Sequence, residues 1–98
     1  MKKIIGNLLY DTEKSKKIYS FKQKRKISTF GNVNFFEWYK VDVYKTKNEN
    51  YFIHSYQEDG LPYKEFLEEF SEPELKEVLK KIDPDRYIEF GFDDVKEA

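Results

Sequence analysis

The chain has 98 residues, with 18 Lys/Arg against 19 Asp/Glu and no cysteine. That length allows one hydrophobic core, so residues 1–98 are expected to form a single domain. Without cysteine there can be no disulfide, thiolate nucleophile or Cys-ligated metal, and without 18 consecutive apolar residues no membrane-spanning helix is expected.

The near-neutral total of −1 conceals a division. Residues 1–50 hold 12 basic and 5 acidic side chains, net +7, and residues 51–98 hold 6 and 14, net −8. Fields of this size bear on partners more than on folding. Nine Phe, eight Tyr and one Trp exceed what one small core is expected to need, so some rings should lie at the surface. Residues 1–6 have no seven-residue apolar stretch and no small-residue cleavage site, so a soluble, cytoplasmic protein is expected.

Ile4, Ile5, Leu8, Leu9 and Tyr10 flank Gly6-Asn7, which fits two short strand pieces with a bulge or turn at the glycine. Residues 11–15 read as a hairpin turn, with 17–21 as the returning strand. Residues 22–26, Lys-Gln-Lys-Arg-Lys, carry the densest positive charge. They read as a hairpin edge or loop, where lysines discourage edge pairing. In a strand, Lys22, Lys24 and Lys26 would share one face as a stripe suited to phosphates.

Gly31-Asn32 introduces the clearest strand. Val33, Phe35, Glu37, Tyr39, Val41 and Val43 alternate as the expected core face, and Phe36, Trp38, Lys40 and Tyr44 lie opposite. A helix is expected to cover Phe36 and Trp38; uncovered, they would form an aromatic binding site. A polar loop at 45–50 leads to another strand at 51–56, making an antiparallel hairpin. His54, the sole histidine, lacks a second His or Cys to share a metal, and reads as a hydrogen-bonded, partly buried strand residue.

Residues 57–60 read as a turn. Tyr63, Phe66, Leu67 and Phe70 then recur at i, i+3, i+4 and i+7, the spacing of a helix face with Pro62 in its first turn, although an extended link fits the second half as well. Ser71 and Glu74 form a capping box before a helix whose buried stripe is Leu75, Val78, Leu79 and Ile82. Asp83-Pro84 starts another short helix, Gly91 ends it, and 92–98 reads as a frayed tail. The expected class is therefore α+β: an antiparallel sheet of about four strands in the N-terminal half, followed by two or three short helices packed against it. The β-rich basic half spans 1–57 and the helical acidic half 58–91.

No catalytic constellation emerges, and no enzyme activity, cofactor or metal site is expected. The pairs Glu68/Glu69, Asp83/Asp85 and Asp93/Asp94 fall where solvation or capping accounts for them, rather than across a pocket. There is no Gly-rich phosphate loop, nucleophile elbow or zinc-binding His pair.

Three patches resemble a group of small proteins from Firmicutes and from their phages and plasmids. They are Tyr10-Asp11-Thr12-Glu13 after an isoleucine-rich start, Tyr44-Lys45-Thr46-Lys47 with Tyr51-Phe52-Ile53-His54, and Phe70-Ser71-Glu72-Pro73-Glu74 with residues 85–91. The chain departs from that group where Lys14-Ser15 replace Thr-Ala and where Glu49-Asn50 stand in place of a frequent Gly. The resemblance implies a mobile-element origin. Some proteins of this general kind are anti-CRISPR inhibitors, so a host protein, in particular a Cas nuclease, is the first expected partner.

Physically, Glu65, Glu68, Glu69, Glu72, Glu74 and Glu77 would then present acidic helix surface to a basic groove. The alternative is nucleic-acid binding by Lys22, Lys24, Arg25, Lys26 and Lys40, with Phe36 and Trp38 stacking on bases. A homodimer pairing the two fields is a third option, and no membrane partner is expected.

Overall fold

The computed structural model describes residues 1–58, 63–92 and 94–98. Strands β1 (Lys2–Ile5) and β2 (Leu8–Asp11) form a separate two-stranded hairpin. Strands β3 (Lys16–Phe30), β4 (Val33–Lys45), β5 (Tyr51–Tyr56) and β6 (Glu65–Phe70) form one antiparallel sheet in sequence order. Helices α1 (Glu72–Ile82) and α2 (Pro84–Glu89) follow. Among the described residues no helix is long and apolar enough to cross a membrane.

The same dipeptide closes both long-range hairpins. Gly6-Asn7 joins β1 to β2, where Ile5 pairs with Leu8, and Gly31-Asn32 joins β3 to β4, where Phe30 pairs with Val33. Each glycine has a φ near +60°, while neither asparagine does. Positive φ at the first central residue alone is the type II′ pattern, whose twist suits the flanking strands. Gly31-Asn32 therefore joins two strands, and residues 17–21 belong to a single 15-residue strand with 22–30. They pair with β4 and not with the N-terminal segment.

The sheet has two covered faces over its lower half. On the front, Val41, Val43, Ile53 and Phe70 join Leu75, Leu79 and Tyr87 of the helices in the larger core cluster. On the back, Tyr44, Phe52 and Leu67 pack against Tyr10 of the β1–β2 hairpin. Tyr10 meets Phe52 edge-on with centroids 5.3 Å apart, and Tyr44 stacks on it at 5.1 Å. Lys3 Nζ donates to the Leu67 carbonyl at 3.3 Å, tying the hairpin to β6.

Helix α1 begins as its sequence requires. Glu74 N–H donates to Ser71 Oγ at 3.2 Å, and Ser71 N–H donates to Glu74 Oε1 at 3.2 Å, the reciprocal capping box. Asp83 caps α2 by accepting from Arg86 N–H at 3.3 Å, and its other oxygen accepts from Tyr19 O–H at 3.1 Å, joining the helix to β3. A register shift between Lys17 and Tyr19 sets Ile18 apart from the ladder, and its carbonyl accepts from Arg86 Nη2 at 2.9 Å.

The α+β class and a four-stranded antiparallel sheet are found, but the sheet is not confined to the N-terminal half: it is built from β3–β6, while the N-terminal strands form a hairpin of their own. Residues 65–70 form strand β6 rather than a helix, so the acidic half contributes a sheet edge and only two helices. The helix-like spacing arises because both faces of β6 are used: Leu67 is buried against the back hairpin and Phe70 against the helices. The expected turn at 57–60 and the role of Pro62 fall wholly or partly on residues 59–62, outside the described ones. At the end of the chain, Phe92 packs beside Tyr87 at 5.1 Å, and Asp94 accepts from the Tyr87 hydroxyl, so the start of the expected tail is anchored.

Two substitutions should raise stability. Glu49, in the loop between β4 and β5, has φ +65°, a left-handed conformation that costs a non-glycine residue roughly 1–2 kcal/mol. Glycine relieves that strain but loses about 0.5–1 kcal/mol of backbone entropy. Glu49→Gly is therefore expected to gain about 0.5 kcal/mol, raising the thermal midpoint by about 2–4 °C. Glu49→Ala should give no gain.

Ser55 is fully buried, and its hydroxyl has no hydrogen-bond partner among the described residues. Burying an unpaired hydroxyl costs about 1–3 kcal/mol on protein scales. Ser55→Ala should stabilise by about 1 kcal/mol in urea unfolding, whereas a comparable loss would reveal an unseen partner.

Candidate functional site

β4 runs for 13 residues, but β5 pairs with only its last six, Lys40 to Lys45. Above Lys40, β4 has β3 as its sole partner strand among the described residues. The remaining seven residues and their β3 partners project as a two-stranded arm about 20 Å long at 3.3 Å per residue.

Charge gathers on this pair of strands. β3 and β4 together hold Lys16, Lys17, Lys22, Lys24, Arg25, Lys26, Lys40 and Lys45 against Glu37 and Asp42. Nearly all of the positive excess of the N-terminal half thus lies on two adjacent strands.

The two faces of the arm differ. On the front, the base of the arm is braced to the body. Arg25 pairs with Glu68, and its guanidinium lies 5.6 Å from the Tyr39 ring centroid and 5.2 Å from that of Phe66. Glu37 takes Lys64 Nζ at 3.1 Å and the Tyr39 hydroxyl at 3.0 Å. The Lys64 hydrogen bond, with help from Tyr39, holds the Glu37 carboxyl below its ordinary value of 4.5.

The back face carries the lysines and two rings. Register places Lys22 opposite Lys40, Lys24 opposite Trp38 and Lys26 opposite Phe36, so all six side chains share that face. Lys24 Nζ sits 5.2 Å from the Phe36 centroid and 5.7 Å from that of Trp38. Helices lie on the front, so the expected cover is missing: Trp38 is 61% exposed and Phe36 48%. Val33 and Phe35, expected in the core, are exposed as well, because the arm extends beyond the body.

Lower on the same face, Asp42 is buried within the four-stranded part of the sheet, between Ser20 of β3 and His54 of β5. It accepts from Ser20 Oγ at 2.7 Å and pairs with Lys17 Nζ at 3.3 Å. That hydrogen bond, reinforced by the carboxylate charge, raises the Lys17 pKa. His54 Nε2–H donates to Glu65 Oε2 at 2.8 Å, the hydrogen-bonded strand role read from the sequence.

A cleft of about 650 Å³ opens where β5 stops beside Trp38, lined by Lys22, Trp38, Lys40, Tyr56, Gln57 and Glu58 together with Tyr39. Lys40 Nζ donates to Glu58 Oε1 at 2.6 Å, and this bond raises the lysine pKa.

The glutamates expected to form an acidic helix array are dispersed. Glu65, Glu68 and Glu69 are on β6, where they meet His54, Arg25 and Tyr10 respectively. Glu72 pairs with Lys76 at 3.9 Å, Glu74 closes the capping box, and Glu77 is exposed on α1. Adjacent Glu68 and Glu69 occupy opposite faces of β6, so their side chains do not converge.

No protein-family model, curated protein or solved structure matches this chain. The site therefore has to be read from its own geometry. Of the basic and aromatic residues named from sequence, the fold brings together Lys22, Lys24, Lys26, Phe36, Trp38 and Lys40, and it sends Arg25 to the other face. Tyr56, Gln57 and Glu58 were missed, because the end of β5 that places them beside Trp38 has no local signal.

The Glu37 brace makes acid stability testable. A carboxyl held low when folded contributes stability that is present above its unfolded value and lost as pH falls through its folded one. Urea midpoints should therefore drop as pH falls below 4.5, and Glu37→Gln should flatten part of that decline. Curves that stay parallel would show that the brace contributes nothing.

Proposed function

We propose that this chain is a binding protein whose β3–β4 arm holds single-stranded nucleic acid on its back face. The observation that carries this reading is the row of Lys22, Lys24, Lys26 and Lys40 interleaved with exposed Phe36 and Trp38. Sequence-tolerant binding of single strands needs cations for the backbone and ring faces for unstacked bases, and this row supplies both. A duplex keeps its bases stacked and would leave the rings unused.

The acidic helices do not oppose this. They pack on the front of the sheet, whereas the lysine row is on the back. The back-face carboxylates nearest the body, Asp42, Glu65 and Glu69, are each engaged by a protein donor.

A second reading follows from the resemblance: an inhibitor of a host nucleic-acid-processing protein, with a Cas nuclease as the specific candidate. One observation favours it. Ile27, Phe30, Val33 and Phe35 are exposed toward the arm tip, with Phe30 at 81%, and apolar surface of this kind marks protein contacts. The acidic-array mechanism is not part of this version, since its glutamates are dispersed.

Trp38 is the only tryptophan, so its fluorescence reports the site directly. Titration with a 12-nucleotide oligothymidylate should quench it. Four lysine–phosphate contacts correspond to a salt slope of about −2.8, or about a 50-fold loss of affinity between 50 and 200 mM salt. Lys24→Glu with Lys26→Glu should abolish binding while leaving the fold intact by circular dichroism. No quenching, or binding indifferent to salt, would remove this reading. A stable complex with a nuclease that survives both substitutions would favour the second.

A further inference from the structure

We infer that the cleft at the foot of the arm is a pocket for one unstacked nucleobase, and that Glu58 gives it a preference for guanine. This rests on the proposed nucleic-acid reading and adds base selectivity to it.

The cleft has a structural origin. Tyr56 is the last residue of β5 and pairs with Lys40, so the β4 positions above Lys40 have no strand partner on that side among the described residues. The sheet therefore steps down beside Trp38. The Tyr39 ring belongs to the front face with Phe66, so Tyr39 can offer this back-face cleft only its main chain. At about 650 Å³ the cleft falls within the range of small-ligand sites.

Its lining divides by chemistry. Trp38 and Tyr56 supply ring surface for stacking, and Lys22 and Lys40 supply positive charge for the attached phosphate. These groups tolerate any nucleotide. Glu58 is the group that can read a base edge, because Gln57 follows Tyr56 onto the front face, where its side chain bonds Glu37.

An ionised carboxylate only accepts hydrogen bonds. Guanine is the base whose Watson–Crick edge offers two adjacent donors, N1–H and the N2 amino group, matched to the two carboxylate oxygens. Uracil and thymine offer one N–H between two carbonyls, which a carboxylate repels. Adenine and cytosine offer one amino group beside an acceptor. Lys40 occupies only Oε1 of Glu58, and a carboxylate has about four acceptor sites, so the pair need not break for guanine to bind. Lys40 instead fixes the carboxylate at the edge of the cleft.

The test uses the intact chain, Trp38 fluorescence and four 12-nucleotide oligothymidylates: unmodified, with one central guanine, with inosine at that position, or with an abasic site there. Inosine keeps N1–H but lacks the N2 amino group. The guanine oligonucleotide should bind about tenfold more tightly than the unmodified one, the order expected for a bidentate base contact. Inosine should lose most of that gain, and the abasic site all of it.

Glu58→Gln should erase the guanine preference, and because it also releases Lys40 and removes a negative charge, oligothymidylate should bind at least as tightly as before. Equal binding of all four oligonucleotides would overturn the base pocket and leave the arm's binding role standing. Failure of all four to bind would remove both. A guanine preference that persists in Glu58→Gln would overturn the assignment to Glu58.

Discussion

Unequal strand length governs this structure. β4 has 13 residues and is paired along its length by β3, while β5 offers it a partner for only six. Below that limit the sheet is four strands wide and both faces are covered, so Val41, Asp42, Val43 and Tyr44 are buried in succession. Above it, two strands continue, braced on the front at their base, where Tyr39 is buried, and exposed on the back and toward the tip. One continuous ladder thus passes from core to exposed arm without a change of secondary structure. The cleft is the step left at the transition.

The same division explains why opposite fields coexist in a small chain. Positive charge follows β3 and β4 because the back of the arm and its tip have no core to fill and are exposed. Negative charge on β6 and the helices is largely engaged locally. Arg25, His54 and Tyr10 engage the three glutamates of β6, and a cap and an i,i+4 pair engage two of α1. The net charge of each half therefore overstates what the acidic surface offers to a partner. On the back of the arm, Lys22, Lys24 and Lys26 are all exposed, and Lys40 has its carboxylate at the cleft edge.

How much was legible depended on the distance over which a feature is decided. The capping box of Ser71 and Glu74, Leu75 and Leu79 of the expected helix stripe and the Asp83 cap are local and stood in the sequence as found, whereas Ile82, expected in that stripe, is exposed at the end of α1. The six-residue β5 and the hydrogen-bonded His54 were readable for the same reason. β6 was not, because burial on two faces replaced strict alternation with a spacing that mimics a helix. The arm was misjudged at both ends. Lys22 to Lys26 look like a loop until β4 is known to pair with them, and Phe36 with Trp38 look like core until β5 is known to stop short. The lysine and aromatic residues could be named from sequence, but their shared face required the register, and Glu58 joined them through a chain ending rather than a motif.

An isolated two-stranded ribbon is marginal in water, so the arm depends on what holds its base. That support is concentrated on the front, through Arg25 and Glu68, Glu37 and Lys64, and the Tyr39–Phe66 contact. Bracing one face leaves the other free to meet a ligand without dismantling the arm. Exposed rings on such a ribbon also invite pairing between copies, and lysines beside them oppose it by charge. Lys24 is placed for this second role, since its ammonium lies over both Phe36 and Trp38. A polyanion would neutralise that ammonium and draw it toward phosphate, exposing the two ring faces to bases at the same moment. On the proposed reading, backbone contact and base stacking would thereby be coupled through this one side chain.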